Sequence, residues 1–375
     1  MTYTISPLDL ARRLDDADSA PFVLDVRAPD QFERWQVEGA FKPETRNVPY
    51  WTALEDVDTT VSTLPTDQDV VVICAHGGSS GMLVDMIGLP QVVNLDGGMR
   101  AWAQTLVPHP LLDDGRRFVV QYDRIAKACL SYAVGTRDAT MCVVDPAVDP
   151  EIYLRHAAEY DAEITDVFDT HLHADHVSVA RRLADVAGAT YHISEGDAED
   201  AAFDYSPLVD GERFSFGDVE MVVRSVATPG HTPGSTSLEV AGRFLLTGDA
   251  IFVTGVGRPD LGGQTEPWAR DLFHTIHDRL AGLSDDLLVC PAHYTSRGEA
   301  NEGGSISRPL GDLMVNDPVV SISDESSFVD YVVSHLGEAP PVYADIRRVN
   351  LGVESVGSER IEELEVGRNE CALKG

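Results

Sequence analysis

The stretch Thr170-His171-Leu172-His173-Ala174-Asp175-His176 carries more chemical information than any other part of this chain. It places three imidazoles and a carboxylate directly after an apolar run, Asp166-Val167-Phe168, that we predict to be a strand. Side chains two residues apart on an extended segment point to the same side, so His171 and His173 can face one site. The last two residues of the stretch then turn back toward the same space. Such a concentration of ligand-type groups at a strand end indicates a metal centre.

Three more ligand-type residues come later in the chain. His231 lies in the turn Pro229-Gly230-His231-Thr232-Pro233-Gly234, whose restrained backbone can hold an imidazole without a flexible arm. Asp249 and His293 each follow an apolar run that we predict to be a strand. Together with the first stretch they predict one metal centre. Six further histidines lie outside these ligand motifs and are expected on the surface or in the core: His109, His156, His192, His274, His277 and His335.

The combined motifs Thr-His-x-His-x-Asp-His, Gly-His-Thr-Pro-Gly, Thr-Gly-Asp and a late Pro-x-His resemble the metallo-β-lactamase superfamily. The resemblance covers residues from about 116 to 318, where apolar runs alternate with amphipathic stretches such as Ile152 to Tyr160 and Trp268 to Leu280. It implies an αβ/βα sandwich with the metal at one edge.

Two branches of that superfamily fit the ligand residues. Resemblance to glyoxalase II implies a thioester hydrolase with two Zn(II): His171, His173 and His231 would hold one ion, Asp175, His176 and His293 the other, with Asp249 bridging. Resemblance to the persulfide dioxygenases implies one Fe(II) on His171, His231 and Asp249, the two-His-one-carboxylate set that leaves positions open for a persulfide and O₂. His173, Asp175, His176 and His293 would then orient ligands and water. All seven residues are present, so the ligand set leaves both branches open.

Three features favour the iron branch. Gly257-Arg258-Pro259-Asp260 is similar to a Gly-Arg-x-Asp stretch of the persulfide dioxygenases, and Arg308-Pro309-Leu310 is similar to their Asn-Pro-Arg-Leu region. The third feature is the domain that precedes the metal domain. The chain departs from that family in having Tyr294 directly after His293. Arg258 and Tyr294 are candidate substrate contacts, and a structural ion pair is the alternative for Arg258.

The segment Ile73-Cys74-Ala75-His76-Gly77-Gly78-Ser79-Ser80-Gly81 follows a buried-strand pattern and enters a predicted helix, Ser80 to Ile87. A thiolate in such a loop faces backbone N–H groups and a helix N-terminus, and both lower its pKa. The two glycines let the backbone curl around an anion. A buried structural cysteine is the alternative for Cys74.

The surroundings of this loop resemble a single-domain rhodanese over residues from about 5 to 108. The resemblance lies in Leu24-Asp25-Val26-Arg27, the cysteine loop, and the run from Asn94 to Trp102. It implies that Cys74 carries sulfane sulfur as a persulfide. Candidate contacts to the anionic sulfur donor are His76, Gly77, Gly78 and Ser79, with Ser79 at a position where many rhodaneses have Arg. The cysteines in apolar runs are expected in the core: Cys129, Cys142 and Cys290.

These patterns predict a two-domain α/β chain. Residues 1–110 would form a rhodanese-like domain with a parallel sheet, and residues 116–318 the metal domain. Residues 319–375 would form a helical extension, with a helix at Phe328 to Leu336, and a polar tail that is loosely ordered after about residue 351.

The composition limits location and partners. The formal net charge is −34, with 39 Asp and 23 Glu against 25 Arg and only 3 Lys. This composition resembles proteins of salt-in halophiles, where molar salt shortens the Debye length to roughly 3 Å and screens the self-repulsion. An acidic mesophilic protein is the alternative. The charge argues against binding to nucleic acid or anionic membrane. No apolar run reaches the length of a bilayer span, no secretory leader is evident, and five cysteines without a Cys-x-x-Cys pair indicate a reducing, cytoplasmic location.

The resemblances together predict a persulfide dioxygenase fused to a rhodanese. The metal domain would oxidise a small thiol persulfide with O₂ to sulfite and free thiol. Cys74 would transfer sulfane sulfur, with sulfite or thiosulfate as partner and with the direction of transfer open. The alternatives are the dinuclear zinc hydrolase with an attached rhodanese, and a first domain that is a sulfur sensor or docking module with an inactive Cys74. Homo-oligomerisation is left open.

Overall fold

A computed structural model describes residues 3–224 and 228–373. The described chain divides into two compact units. The first unit contains the described residues up to 107, together with 124–127 and 366–368; the second contains the rest. Among the described residues, none of the helices has the length and apolar character that a bilayer span requires.

The first unit is built on a five-stranded, fully parallel sheet with strand order β1-β5-β4-β2-β3. Its strands are β1 (Thr4–Ile5), β2 (Phe22–Asp25), β3 (Thr45–Asn47), β4 (Val70–Ile73) and β5 (Val92–Leu95). Its helices are α1 (Pro7–Arg13), α2 (Pro29–Arg34), α3 (Tyr50–Glu55), α4 (Val57–Ser62), α5 (Gly78–Ile87) and α6 (Gly98–Ala103). Val71 and Val72 of β4 belong to different apolar clusters, so both faces of the sheet are covered. The predicted parallel α/β unit is confirmed.

The second unit contains two sheets, with strand orders β12-β11-β10-β9-β8-β7-β6 and β13-β14-β15-β16-β17-β18. The first sheet consists of β6 (Val107–Asp113), β7 (Arg117–Arg124), β8 (Cys129–Thr136), β9 (Thr140–Val144), β10 (Glu163–Phe168), β11 (Thr190–Ile193) and β12 (Ser206–Pro207). The second consists of β13 (Arg213–Phe216), β14 (Val219–Arg224), β15 (Ser237–Val240), β16 (Phe244–Gly248), β17 (Leu288–Pro291) and β18 (Arg308–Pro309).

The main core lies between these two sheets. Val144 and Phe168 from the first sheet pack in one cluster with Leu238 and Leu246 from the second, and all four are completely buried. The helices of this unit are α7 (Pro150–Glu159), α8 (Ala180–Ala187), α9 (Glu195–Ala198), α10 (Thr265–His274), α11 (Leu310–Asn316), α12 (Glu325–Ser334), α13 (Val342–Asn350) and α14 (Ser358–Leu364). Helices α7 and α8 pack on the first sheet and α10 to α12 on the other side of the second. The predicted αβ/βα sandwich is confirmed.

The sandwich brings the ligand-type residues to one edge. Strand β9 runs parallel to β10, and β16 runs parallel to β17. Their carboxyl ends lead into Asp145, His171, Asp249 and His293. The ends of parallel strands share an edge of a sheet, so residues far apart in sequence become neighbours.

The structure differs from the sequence expectations in two places, namely the segment that follows the first domain and the C-terminal tail. Residues Val107–Asp113, which span the predicted end of the first domain at residue 110, form strand β6. Because β6 is the outermost strand of its sheet, Pro108 and Pro110 can be accommodated without breaking central ladder hydrogen bonds. The domain limits 1–110, 116–318 and 319–375 stay predictions.

The expectation of a loosely ordered tail is wrong. Residues after 351 include α14, and the side chains of Leu364 and Cys371 are buried. They pack with Tyr343, Ala174 and Phe252 in one apolar cluster. The tail is polar on average, but its few apolar residues are spaced to reach this cluster. The described C-terminal residues other than 366–368 thereby become part of the second unit.

Candidate metal centre and cysteine loop

Three buried ligand atoms converge at the edge of the sandwich. They are Nε2 of His171, Nε2 of His231 and Oδ2 of Asp249; the two imidazole nitrogens lie 3.7 and 3.3 Å from the carboxylate oxygen. All three side chains are completely buried, and none of these atoms has a hydrogen-bond partner among the described residues. Metal–ligand bonds of about 2.0–2.2 Å set neighbouring ligand atoms about 3 Å apart. The three atoms therefore fit a metal ion.

Hydrogen bonds on the far side of each ring fix the tautomers of the two histidines. Nδ1 of His231 lies 2.9 Å from the carbonyl oxygen of Arg258, which can only accept, so Nδ1 carries the proton. Nδ1 of His171 lies 2.9 Å from Oγ1 of Thr170, and that hydroxyl donates to Oδ2 of Asp145. The hydroxyl therefore accepts from His171. In both rings Nε2 keeps its lone pair for a metal.

The pKa values agree with these tautomers. Burial lowers the pKa of His171 well below its ordinary value, with a further contribution from His173, and burial also lowers the pKa of His231. Burial alone would raise the pKa of Asp249, but His293 and the other imidazoles outweigh it and lower the pKa. At neutral pH the group is two neutral imidazoles and one carboxylate, the protonation state that metal binding requires.

His293 joins two carboxylates. Its Nδ1 lies 2.6 Å from Oδ1 of Asp249 and its Nε2 lies 2.9 Å from Oδ2 of Asp175. Burial would lower its pKa, but Asp175 and Asp249 raise the pKa well above the ordinary value. Each ring nitrogen of His293 faces a carboxylate oxygen, so neither nitrogen is free to bind a metal in this arrangement. It holds Asp249 so that only Oδ2 faces the two histidines.

His173 and His176 also differ from the three converging residues. Nε2 of His173 lies 3.1 Å from Oδ1 of Asp145 and 3.6 Å from Asp169, and these three form a separate buried group. Nδ1 of His176 lies 3.1 Å from Oδ1 of Asp175. The remaining ring nitrogens, Nδ1 of His173 and Nε2 of His176, are buried without a hydrogen-bond partner.

The sequence analysis missed several residues at this site. Asp197 accepts hydrogen bonds from the backbone of Leu172 at 2.7 Å, from Oγ1 of Thr232 at 2.6 Å and from the backbone of Gly234 at 2.8 Å. It therefore ties the two histidine motifs together. No motif marks Asp197, which lies in the short helix α9. Asp145 has a signal in the sequence, since it directly follows the apolar run Met141-Cys142-Val143-Val144, which forms most of strand β9 at the same sheet edge.

Two cysteines also reach the site. Sγ of Cys129, which we expected in the core, lies 3.2 Å from Oδ2 of Asp175, and Cys129 groups with Asp175, His176 and His293. Cys371 from the C-terminal tail groups with Asp249 and His293. Their spacing in the sequence gives no signal of this. Both are buried thiols close to carboxylate and imidazole groups of the site.

Arg258 and Tyr294 remain predicted substrate contacts, but their present partners are internal. The Arg258 guanidinium binds Asp260 and the carbonyl oxygens of Gly337 and Glu370. Its own backbone carbonyl is the one that orients His231. The preceding residue is glycine because a Cβ there would lie 2.0 Å from the carbonyl oxygen of Asp249. Tyr294 is buried and donates to Asp123 at 2.9 Å.

The cysteine loop of the first unit presents donors to a thiolate. Sγ of Cys74 lies 3.1 Å from the backbone nitrogen of Gly77 and 3.1 Å from Oγ of Ser80. Gly77 has φ of 82°, and a Cβ there would lie 2.8 Å from the backbone nitrogen of Gly97. The loop therefore requires glycine at this position. The Ser80 hydroxyl also lies 2.6 Å from Oδ1 of Asn94, so its single proton is shared between two acceptors.

These contacts lower the pKa of Cys74. Burial alone would raise the pKa, but hydrogen bonds from Ser80, His76 and Gly77 lower it below the ordinary thiol value. Cys74 is 7 % exposed. Of the predicted donor contacts, His76 and Gly78 are exposed and Ser79 is half-buried, so binding of an anionic donor there stays a prediction. Below the loop, Arg27 pairs with Asp25 in a buried ion pair with a nitrogen–oxygen distance of 2.7 Å.

Comparison with known families assigns both units. The rhodanese-like domain family matches residues 6–105, and the metallo-β-lactamase superfamily matches residues 125–293. The second unit therefore contains a metallo-β-lactamase domain, and the first unit is a rhodanese-like domain. The superfamily fold and the buried ligand groups indicate a metal cofactor.

Relatives of the second unit have different chemistry. The chain is 30% identical over 169 residues to the mitochondrial persulfide dioxygenase ETHE1 of Homo sapiens, a match that covers 44% of this chain and 63% of that protein, less than two thirds of its length. It is 26% identical over 204 residues to the probable polyketide biosynthesis zinc-dependent hydrolase BaeB of Bacillus velezensis, covering 53% and 85%. The crystal structure of a metallo-β-lactamase from Staphylococcus aureus superposes with a TM-score of 0.56 and 26% identity, covering 63% of this chain and 73% of that one.

The hydrogen bonds to Cys74 predict how the rate of its alkylation depends on pH. Below the thiol pKa, the rate of alkylation follows the thiolate fraction, so a lower pKa means faster alkylation at a given pH. Replacing Ser80 with Ala removes a donor to the thiolate and should raise the Cys74 pKa. We expect the midpoint of iodoacetamide alkylation to move to higher pH, and the rate below the midpoint to fall several-fold.

The matched control for this measurement is Ser79→Ala, which removes a neighbouring hydroxyl that is not among the described donors to Sγ, Gly77 and Ser80. Cys74→Ser identifies the alkylation signal that belongs to Cys74. An unchanged midpoint in Ser80→Ala would mean that the Ser80 proton stays on Asn94 and does not stabilise the thiolate.

Proposed function

We propose that the second unit is an iron-dependent persulfide dioxygenase. The observation that carries the proposal is the division among the seven ligand-type residues. Only His171, His231 and Asp249 direct unpartnered atoms toward one common point, while His293 is fully engaged and His173 lies in a different group. Two imidazoles and one carboxylate are the ligand set of mononuclear non-haem iron oxygenases. The 30% identity to a persulfide dioxygenase supports the same conclusion.

The reaction converts a small thiol persulfide, O₂ and water into the free thiol, sulfite and two protons. A ferrous ion bound by His171, His231 and Asp249 would supply the activation of O₂. Arg258 and Thr170 hold the two imidazoles in the correct tautomer, and His293 orients the Asp249 carboxylate. The apolar side chain of Phe252, 0% exposed in the adjoining cluster, helps to keep bulk water away.

We further propose that Cys74 carries sulfane sulfur. Thiolate attack on a donor such as thiosulfate cleaves the sulfur–sulfur bond, releases sulfite and leaves a Cys74 persulfide. An acceptor thiolate or sulfite then takes the outer sulfur and regenerates the thiolate. The donors at Gly77 and Ser80 stabilise the negative sulfur on both sides of this exchange.

A dinuclear zinc hydrolase is the second candidate, and two observations favour it. The match to the zinc-dependent hydrolase covers 85% of that relative. In addition, Nδ1 of His173 and Nε2 of His176 are buried and unpartnered, so each could become a metal ligand after a shift of its ring. Two zinc ions would supply a metal-bound hydroxide for thioester cleavage.

The proposed setting is the cytoplasm of a salt-accumulating organism. The support is the net charge of −34 with almost no Lys. High salt screens repulsion between the carboxylates, which at low salt opposes the compact state. Small sulfur compounds are the proposed substrates; assembly into oligomers remains open.

The metal and the reaction can be tested together. Protein purified in high salt and reconstituted without oxygen should hold about one iron per chain, measured by elemental analysis. Adding glutathione persulfide as the probe should start O₂ uptake and sulfite release. Two zinc ions per chain, thioester cleavage and no O₂ uptake would contradict the proposal and support the hydrolase.

Two variants sharpen this test. Asp249→Ala removes a ligand under both candidate functions and should abolish metal binding and activity. His173→Ala separates them, because His173 ligates only in the dinuclear site. Iron should be retained in His173→Ala if the centre is mononuclear, whereas loss of metal would favour the dinuclear site.

The two sulfur activities should separate at Cys74. Cys74→Ser removes the thiolate and should abolish transfer of sulfur from thiosulfate to cyanide, while O₂ uptake with glutathione persulfide continues at the wild-type rate. If sulfur transfer is unaffected, Cys74 is not the carrier, and a sensor or docking role becomes the better explanation for the first unit.

A further inference from the structure

The terminal segment, which we define as residues 369–372, pairs with the backbone of Gly257 and Arg258. Gly257 and Ala372 form an isolated antiparallel bridge. The backbone nitrogen of Arg258 donates to the carbonyl oxygen of Cys371 at 2.9 Å. Arg258 is buried, so its N–H needs an acceptor inside the protein, and the terminal segment supplies one.

Gly257 and Arg258 also contact two of the three converging ligands. A Cβ on Gly257 would lie 2.0 Å from the carbonyl oxygen of Asp249 and 3.1 Å from Nδ1 of His231. The carbonyl oxygen of Arg258 accepts from Nδ1 of His231 at 2.9 Å, and this bond fixes the tautomer in which Nε2 keeps its lone pair. A shift of this short stretch of backbone would therefore move the group that orients His231.

Two side chains hold the terminal segment in place. The hydroxyl of Tyr343 accepts from the backbone nitrogen of Glu370 at 2.7 Å. Nδ2 of Asn369 donates to the carbonyl oxygen of Ala128 at 2.9 Å, and its Oδ1 accepts from the backbone nitrogen of Cys371 at 3.3 Å. Each of these anchors can be removed by one substitution that leaves the residues paired with Arg258 unchanged.

Tyr343 is in turn placed by helix α13. The helix buries Tyr343 and Ile346 in an apolar cluster, and its last residue, Asn350, donates through Nδ2 to the carbonyl oxygens of His173 and His176, both at 2.9 Å. All of these C-terminal groups follow the metallo-β-lactamase match, which ends at residue 293. They hold the backbone at the first histidine motif and, through the terminal segment, the backbone that orients the second.

We propose that the terminal segment is a positioning element of the metal centre. By holding the backbone of Gly257 and Arg258, it keeps the His231 imidazole and the Asp249 carboxylate in the arrangement that binds metal. The inference rests on the proposed metal centre, in which His231 and Asp249 are ligands under both candidate functions. It does not depend on whether the centre holds one ion or two.

The test is cobalt(II) binding to the metal-free full chain in high salt, measured by competition with a chelator. In the double variant Tyr343→Phe/Asn369→Ala both anchors are lost, so the terminal segment no longer holds the Arg258 backbone. We expect the dissociation constant for cobalt(II) to rise about 10-fold or more, as is typical when an outer partner of a metal ligand is lost. The matched control is Tyr331→Phe/Asn316→Ala, which removes the same groups from α12 and α11 and should bind cobalt(II) as tightly as wild type.

A second measurement separates positioning of His231 from general loosening of the centre. In the cobalt-loaded protein, the Nδ1 protons of His171 and His231 should give exchangeable proton signals with large paramagnetic shifts. His171 donates to Thr170 and His231 to Arg258, so only the His231 proton depends on the terminal segment. The variant Thr170→Val identifies the His171 signal by displacing it. In the double variant, the His231 proton should exchange with solvent several-fold faster, and the His171 proton at an unchanged rate.

The inference requires both changes. An unchanged dissociation constant or an unchanged exchange rate of the His231 proton in the double variant overturns it. Equal acceleration of both protons, or weaker binding in the control variant, also overturns it, because the effect would then be a general loosening. If the double variant does not fold, Tyr343→Phe alone keeps the ring and is judged by the same two measurements. Two cobalt ions per wild-type chain would contradict the mononuclear function and leave this inference intact.

Discussion

The organisation of the second unit depends on three buried polar atoms that have no hydrogen-bond partner among the residues the structure describes. Leaving a buried donor or acceptor unsatisfied costs about 1–3 kcal/mol per group. Here the unpartnered Nε2 of His171, Nε2 of His231 and Oδ2 of Asp249 come together within a few ångströms of each other. A folded protein tolerates this arrangement if a bound cation compensates it. The parallel strands β10 and β16, the Gly230 turn and the close approach of Gly257 all bring these atoms to one point.

The hydrogen bonds around the site restrict the number of metal ions it can hold more strongly than the residue types at the site do. Seven ligand-type residues are compatible with one metal ion or two. Their hydrogen-bond partners distinguish them. In His171 and His231, a hydroxyl or carbonyl oxygen accepts from Nδ1, and Nε2 therefore keeps its lone pair for a metal. In His293, both ring nitrogens face carboxylates. Ligand identity can therefore be retained while the number of metal ions changes, because a shift in the surrounding hydrogen bonds is sufficient to remove a ligand.

The sequence was sufficient for the sandwich and the parallel unit, and its motifs contain the three residues whose unpartnered atoms converge, His171, His231 and Asp249. These features leave local signals: apolar runs mark buried strands, and motifs such as His-x-His mark strand ends. Asp197, Asn350 and Cys371 left no such signal, because tertiary packing alone brings them to the histidine loops. The tail was expected to be loosely ordered for the same reason. The composition of the tail is polar. The sequence does not show that its few apolar residues pack against the buried face of α13, because this depends on where α13 lies in the fold.

The two units control the charge of their reactive groups in different ways: the first stabilises a thiolate, and the second holds a buried group of metal ligands. Burial raises the pKa of Cys142, Cys290 and Cys371, so these thiols stay protonated and unreactive. Cys74 is also nearly buried, but donors from Gly77 and Ser80 reverse the effect and lower its pKa. A persulfide on Cys74 would therefore be stabilised as an anion near the surface, where a small carrier thiol can reach it. The triad, in contrast, is closed off and its groups are held in the state that binds a cation.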